Sequence, residues 1–287
     1  MTPPIPFADY QRLAGVNWST LSYMQTSPLA YRENLLNPKP STAAMDLGSA
    51  MHAIVLEPET FFATYGMFEG RRGTKAHQEW QEEHPGMSDL KPDDWERCLG
   101  VAEAVTSLRQ GKQARRLLRG TQREVSLRWI DPDTHIRCKA RPDIVRYTRE
   151  ANGKLGPWVL ADLKTTTSVD ERKFGRLAGD LLYHGKMAFA FMGLRAIHDF
   201  APIKVQILAV EQNAPHDCAV FTIPEGDIWR AVEMVEGLLA KLKQCRKRRA
   251  WPGRYENEML LDIPPWAAGM NDNDISGVGL ELAPQGA

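Results

Sequence analysis

The hydrophobic period of this chain changes twice along its length, and no other feature limits the fold so strongly. Before about residue 120 the apolar residues follow helical spacing. From 122 to 223 they alternate or form short β-rich runs, and from Pro224 to Arg248 the helical spacing returns. That order predicts an α/β or α+β fold, with a central sheet flanked by helices behind a helical N-terminal region.

Asn17 or Ser19 can cap a helix running to Met24, and Pro28 opens a second that ends before Asn37-Pro38. Further helical stretches are expected at Thr42–Leu56 and Asp93–Leu118. Residues 69–90, rich in Gly, His, Glu and Pro, read as a loop or mobile insertion. Strands are expected at Arg123–Ile130, at His135–Tyr147 with a break at Pro142, and at Trp158–Lys164, with turns at Asp131-Pro132-Asp133 and Asn152-Gly153. Helical periodicity covers Asp180–Ile197, and Lys204–Val210 with Cys218–Ile223 reads as a hairpin. We read 1–267 as one domain, with a helical N-terminal region over 1–120, a sheet core over 121–223 and a C-terminal helix over 224–250, followed by a mobile tail at 268–287.

Chemistry concentrates in Arg141-Pro142-Asp143 and Asp162-Leu163-Lys164. Residues two apart on a strand share a face, so Asp162 and Lys164 project together. If the two strands are neighbours, Asp143 meets Asp162. Two converging carboxylates repel unless a cation joins them. A hard ion such as Mg²⁺ accepts one or two carboxylates and keeps water and phosphate oxygens as its other ligands. Such an ion suits phosphodiester hydrolysis, and a lysine beside it stabilises the developing charge. An isolated Asp-x-Lys is more often an ion pair at a strand end; the upstream Pro-Asp, in strand context, favours the chemical reading.

Glu124, on the strand before Asp143, is a third acidic candidate, and surface exposure is an alternative for it. Gly48 and His52 share a helix face one turn apart, with His52 directed into the space the glycine leaves. The histidine fits either a metal ligand or a hydrogen-bonded core residue. Tyr183 and Lys186 share a face of the helix after Asp-x-Lys, placed to contact substrate phosphates or to serve as core and solvated surface.

The formal net charge is zero, so any contact with nucleic acid has to come from local clusters. Arg71, Arg72 and Lys75 form one, Arg109 to Arg119 a second, and Lys241 to Arg249, followed by Trp251, Arg254 and Tyr255, a third. Each equally fits a solvated helix face. Cys98, Cys138, Cys218 and Cys245 are widely spaced, which argues against a zinc ribbon and reads as free thiols. The chain has no long apolar run and no leader pattern, which predicts a cytoplasmic protein without a membrane span.

The ordered set Gly48-x-x-x-His52, Pro142-Asp143 and Asp162-x-Lys164 resembles the PD-(D/E)XK nuclease superfamily. Within it, the set is similar to the exodeoxyribonuclease VIII (RecE-type) and RecB-like phage exonucleases. Ser27-Pro28-Leu29-Ala30-Tyr31, Asn37-Pro38, Thr165-Thr166-Thr167 and Tyr183-His184 add to the likeness, which runs from about residue 15 to about 250. The resemblance implies a restriction-endonuclease-like core with a mixed sheet. It implies His52, Asp143, Asp162 and the Leu163 carbonyl as metal ligands, with Lys164 as the catalytic lysine and Glu124 near the site. Mg²⁺ is the implied cofactor, with Mn²⁺ as an alternative. The implied activity is digestion of duplex DNA from an end, 5′ to 3′, in phage or bacterial recombination. The implied partner is a single-strand annealing protein, and the implied assembly a ring of three or four copies. An endonuclease of the same superfamily and a DNA-binding protein with a degenerate site are the alternatives. One departure stands out: the family often carries Gln-x-x-x-Tyr after Asp-x-Lys, and here Lys186 and Ala190 occupy those positions. A lysine offers a point charge without the amide's acceptor.

Overall fold

The computed structural model describes residues 5–149, 155–255 and 257–264. The expected turn at Asn152-Gly153 and the tail at 268–287 lie outside the described residues. The chain opens with α1 (Phe7–Arg12), α2 (Trp18–Leu21), α3 (Pro28–Leu36) and α4 (Ala43–Leu56). The side chains of Asn17, Ser27 and Thr42 accept the backbone N–H groups of Thr20, Ala30 and Met45, so α2, α3 and α4 start at polar caps.

After α5 (Pro58–Thr64) the structure departs from the expected loop. β1 (Tyr65–Met67), α6 (Lys75–Glu83) and β2 (Ser88–Leu90) form a small unit in which the two strands pair in parallel. Thr74 caps α6, and Phe68 packs against His77 and Trp80 at ring distances of 5.0 and 5.9 Å. Then follow α7 (Pro92–Thr106) and α8 (Lys112–Leu118), in place of one continuous helix. Ser107 ends α7 in an extended conformation.

The remaining elements are β3 (Gln122–Arg123), β4 (Leu127–Ile130), β5 (Arg137–Ala140), β6 (Ile144–Arg149), β7 (Leu155–Thr166), α9 (Glu171–Asp180), α10 (Tyr183–His198), β8 (Lys204–Glu211), β9 (Cys218–Ile223) and α11 (Glu225–Arg248). Five strands form a mixed sheet in the order β3-β6-β7-β8-β9, antiparallel except for the β7–β8 pair. The strand expected at Arg123–Ile130 is split. β3 pairs with β6 for two residues, the backbone turns at Glu124 (φ 52°), and β4 pairs with β5 instead. The helix expected at Asp180–Ile197 is α10; before it lies an unexpected helix, α9, which Asp170 caps and which ends at Asp180, and left-handed Leu182 turns the chain from one into the other. The hairpin β8–β9 and the long helix α11 lie where the periodicity predicts them.

Each face of the sheet buries its own cluster. Val145, Leu160 and Val205 meet α10, α11 and the β4–β5 pair, whereas Ile144, Ala161, Leu163 and Leu208 meet α4, α7 and α8. A fully buried Val or Leu contributes roughly 1.5–3 kcal/mol. A one-residue slip would exchange the two faces, so the register of β6 on β7 is held from both sides. Among the described residues, no helix is long and apolar enough to cross a membrane.

Candidate functional site

The site follows from that register. β6 and β7 pair Val145 with Leu160 and Ile144 with Ala161, so the next step sets Asp143 across from Asp162 on the face beneath α10. Both aspartates are buried. Lys164, two residues on from Asp162, contacts Asp162 Oδ2 through its Nζ. The Leu163 backbone N–H donates to Asp143 Oδ2 at 2.8 Å, and the Leu163 carbonyl accepts from Lys164 Nζ at 3.4 Å. Tyr183, half-buried at the start of α10, places its ring centre 5.0 Å from Lys164 Nζ.

Lys186 reaches into the same place from α10. Its Nζ lies 2.5 Å from Asp162 Oδ1 and 3.4 Å from Asp143 Oδ1. The sequence pattern directs this side chain at substrate phosphates or solvent; in the structure the ammonium bridges the two aspartates. Close seating of α10 makes the reach short enough. A Cβ on Gly185 would lie 2.3 Å from the Trp18 ring, so glycine alone permits this approach. Ala190, one turn further along α10, is a buried core residue.

Glu124 and His52 complete the cluster from two other directions. Glu124 is not within a strand; it sits at the turn between β3 and β4, with its backbone N–H donating to the Asp143 carbonyl at 3.0 Å. Its Oε2 accepts from Arg141 Nε at 2.6 Å. A positive φ on a residue with a long side chain costs of order 1–3 kcal/mol, and here it aims the carboxylate at Asp143. His52 comes from α4, in the opposite layer, and its Nδ1 lies 3.6 Å from Asp143 Oδ2. It does not fill space left by Gly48, where a Cβ would make only an ordinary 3.9 Å contact with Thr165 Oγ1.

One ligand atom from each of His52, Glu124 and Asp143 lies within 4.8 Å of the others. One imidazole nitrogen and two carboxylate oxygens at that separation are a fitting donor set for a divalent cation. Asp162 stands beside this trio, with both its oxygens facing lysines.

The electrostatics have the same origin. Burial, and then the charge of Asp143, push the Glu124 carboxyl up to about 7 against the pull of Arg141. Burial pushes the His52 imidazole below its ordinary value, against Asp143, which keeps it in the neutral form that binds metals. Burial alone would raise Asp162, but the Lys164 and Lys186 ammoniums outweigh it and hold the carboxyl well below the usual range. Burial opposes the charge on Lys186, and the Asp143 and Asp162 carboxylates outweigh it in turn, raising that ammonium above its ordinary value.

A cleft of about 660 Å³ opens beside the cluster, with Tyr10, Trp18 and Phe189 on its apolar side and Glu124, Asp143, Asp162 and Lys186 on its polar side. Arg141, from the motif with Asp143, and Lys139, which the sequence did not single out, build its outer wall. Arg141 donates to the Ile5 carbonyl at 2.6 Å and lies 5.8 Å from the rings of Phe7 and Tyr10. Lys139 Nζ donates to the carbonyls of Tyr10, Gln11 and Leu13 at 3.2, 2.9 and 2.8 Å. Neither contact has a local sequence signal, because both partners lie far back in the chain. The basic clusters divide. Arg72 is paired with Asp89, whereas Lys241, Arg246, Lys247 and Arg248 line the exposed side of α11. Trp251 stacks on Tyr31 at 5.8 Å and is a packing residue.

Comparison with known proteins agrees with this architecture. The chain superimposes on the crystal structure of a "putative exonuclease" from Eubacterium rectale with a TM-score of 0.60. The two share 13% identity over 96% of this chain and 98% of the other, a likeness of fold alone. A second solved structure, SSO0001, has 16% identity over 77% of this chain and 84% of its own, and its TM-score of 0.27 carries no argument. No curated protein matches. Residues 18–261 match the family described as "PDDEXK-like domain of unknown function (DUF3799)". The chain therefore belongs to that family and, with its mixed sheet flanked by helices, has the PD-(D/E)XK fold.

Proposed function

We propose that this protein is a metal-dependent exodeoxyribonuclease of the RecE type that hydrolyses duplex DNA from an end, 5′ to 3′. The observation that carries the reading is the convergence of His52, Glu124 and Asp143 within 4.8 Å, next to a lysine held on Asp162. A divalent cation, Mg²⁺ or Mn²⁺, held there would polarise the scissile phosphate and lower the pKa of an attacking water. Asp143 and His52 would hold the ion, and Glu124 would either hold it or accept the proton of the attacking water. Asp162 and the Leu163 carbonyl hold Lys164 in place. Lys164 presents its ammonium to the charge that develops on the phosphate. Tyr183 packs against Lys164 and limits where that ammonium goes. Lys186 bridges Asp143 and Asp162 and offsets their charge beside the reacting phosphate.

The apolar side of the cleft suits an unstacked nucleotide, and the exposed basic side of α11 suits a phosphate backbone. A role in phage or bacterial recombination, a ring-shaped homo-oligomer around DNA and a single-strand annealing partner belong to the same proposal. The test is linear duplex DNA labelled at one end, with Mg²⁺, and with EDTA and Lys164→Ala as controls. Early release of the 5′ label as mononucleotide is the expected result. Early release from the 3′ end reverses the polarity, internal cuts on closed circular DNA make it an endonuclease, and DNA binding without cleavage removes the enzymatic reading.

A further inference from the structure

Asp143 belongs to two neighbourhoods at once. Its Oδ2 faces His52 at 3.6 Å, and its Oδ1 faces Lys186 Nζ at 3.4 Å. On the Oδ1 side the Lys186 ammonium also lies 2.5 Å from Asp162 Oδ1, while Lys164 engages the other oxygen of Asp162. The position between the two aspartates, where a second cation would bind, is therefore filled by a protein ammonium. The formal charges of the constellation cancel. Asp143, Asp162 and Glu124 are matched by Lys164, Lys186 and Arg141.

A divalent ion beside His52 would meet Asp143 at Oδ2, the oxygen that does not face Lys186, and would displace no ammonium. A second ion, between Asp143 and Asp162, would have to expel an ammonium held by two buried carboxylates or share the space with a like charge. Lysine has no acceptor atom when protonated, so it cannot become a ligand to an incoming ion as an amide oxygen can.

We propose that the chain holds a single divalent cation, at His52, Glu124 and Asp143, and that Lys186 is a built-in monovalent cation at the second position. The proposal rests on the metal-dependent reading above and deepens it. Lys186 takes over the neutralisation of Asp162 and leaves one divalent charge to face the phosphate.

The test counts ions rather than turnover. The full chain is titrated with Mn²⁺, and free Mn²⁺ is followed by electron paramagnetic resonance. One bound ion per chain is expected for the wild type and for Lys186→Arg. Two are expected for Lys186→Met and for Lys186→Gln, with the spin coupling of a close ion pair. Two ions in the wild type, or one in both neutral variants, overturns the proposal and leaves the metal-dependent reading standing. No bound ion in any form overturns both. If the neutral variants fail to fold, the wild-type count alone decides.

Discussion

Replacing Glu124 by glutamine should stabilise the metal-free protein while disabling its ion site. The folded carboxyl titrates near 7, against 4.5 for an unperturbed glutamate. An acid whose pKa is raised by folding binds its proton more tightly in the folded state. Its contribution is fully present below pH 4.5 and is lost as pH rises through about 7. At about 1.4 kcal/mol per unit, the loss is about 3 kcal/mol at pH 8. Glutamine stays neutral at every pH, and its Oε1 can still accept from Arg141. Urea unfolding in EDTA, followed by tryptophan fluorescence, should show Glu124→Gln more stable than wild type by up to about 3 kcal/mol at pH 8, with the gap under about 1 kcal/mol at pH 5. Mg²⁺ at a thousand times its Kd should reverse the order, since it adds about 4.1 kcal/mol to the form that binds it, more than the gap of about 3 kcal/mol. A variant no more stable than wild type at pH 8, or a gap that ignores pH, would refute the claim that burial beside Asp143 strains this carboxylate.

Lys164→Ala should lower cleavage by about 10²–10³ while DNA binding persists. A gel shift run beside the nuclease assay reads both, and lost binding would move Lys164 from chemistry to substrate capture. Gly185→Ala should cost about 1–3 kcal/mol, since its Cβ would sit 2.3 Å from the Trp18 ring. An unchanged urea midpoint would show that α10 does not need this close approach. Lys139→Met removes the donor to three carbonyls of the N-terminal segment and should cost about 3 kcal/mol. Limited trypsin digestion should then cut at Arg12 sooner than in wild type, and equal cutting rates would contradict a strapping role.

Much of the site is legible in the sequence because it depends on short-range rules. The two-residue period places Asp162 and Lys164 on one face, and the strand break at Pro142 marks where Asp143 leaves β6. Asn17, Ser27 and Thr42 announce three helix starts through their side-chain oxygens. The turn at Glu124 is hidden, because Arg123–Ile130 alternates in the same way whether the strand keeps one partner or exchanges β6 for β5. The aim of Lys186 is hidden too. It depends on how deeply α10 seats against Trp18, which no local pattern encodes. The α6 unit escapes notice because its packing rests on Phe68, His77 and Trp80, with few aliphatic residues to show a period. Asp170 marks the start of α9, while the left-handed turn at Leu182 that separates α9 from α10 carries no local signal, because leucine does not favour that conformation.

The layered origin of the cluster has a consequence for the nascent chain. His52 descends from a layer built on Ala50, Met51 and Ile54, and Lys186 from a layer built on Met187, Ala188 and Phe189, with both aspartates in the sheet between. A half-made polypeptide with only its first helices condensed carries the imidazole without an acid to meet it. One that lacks α10 carries the two aspartates with Lys164 but without Lys186. The full constellation exists only where α4, the sheet and α10 are docked together, so a partly folded chain lacks it.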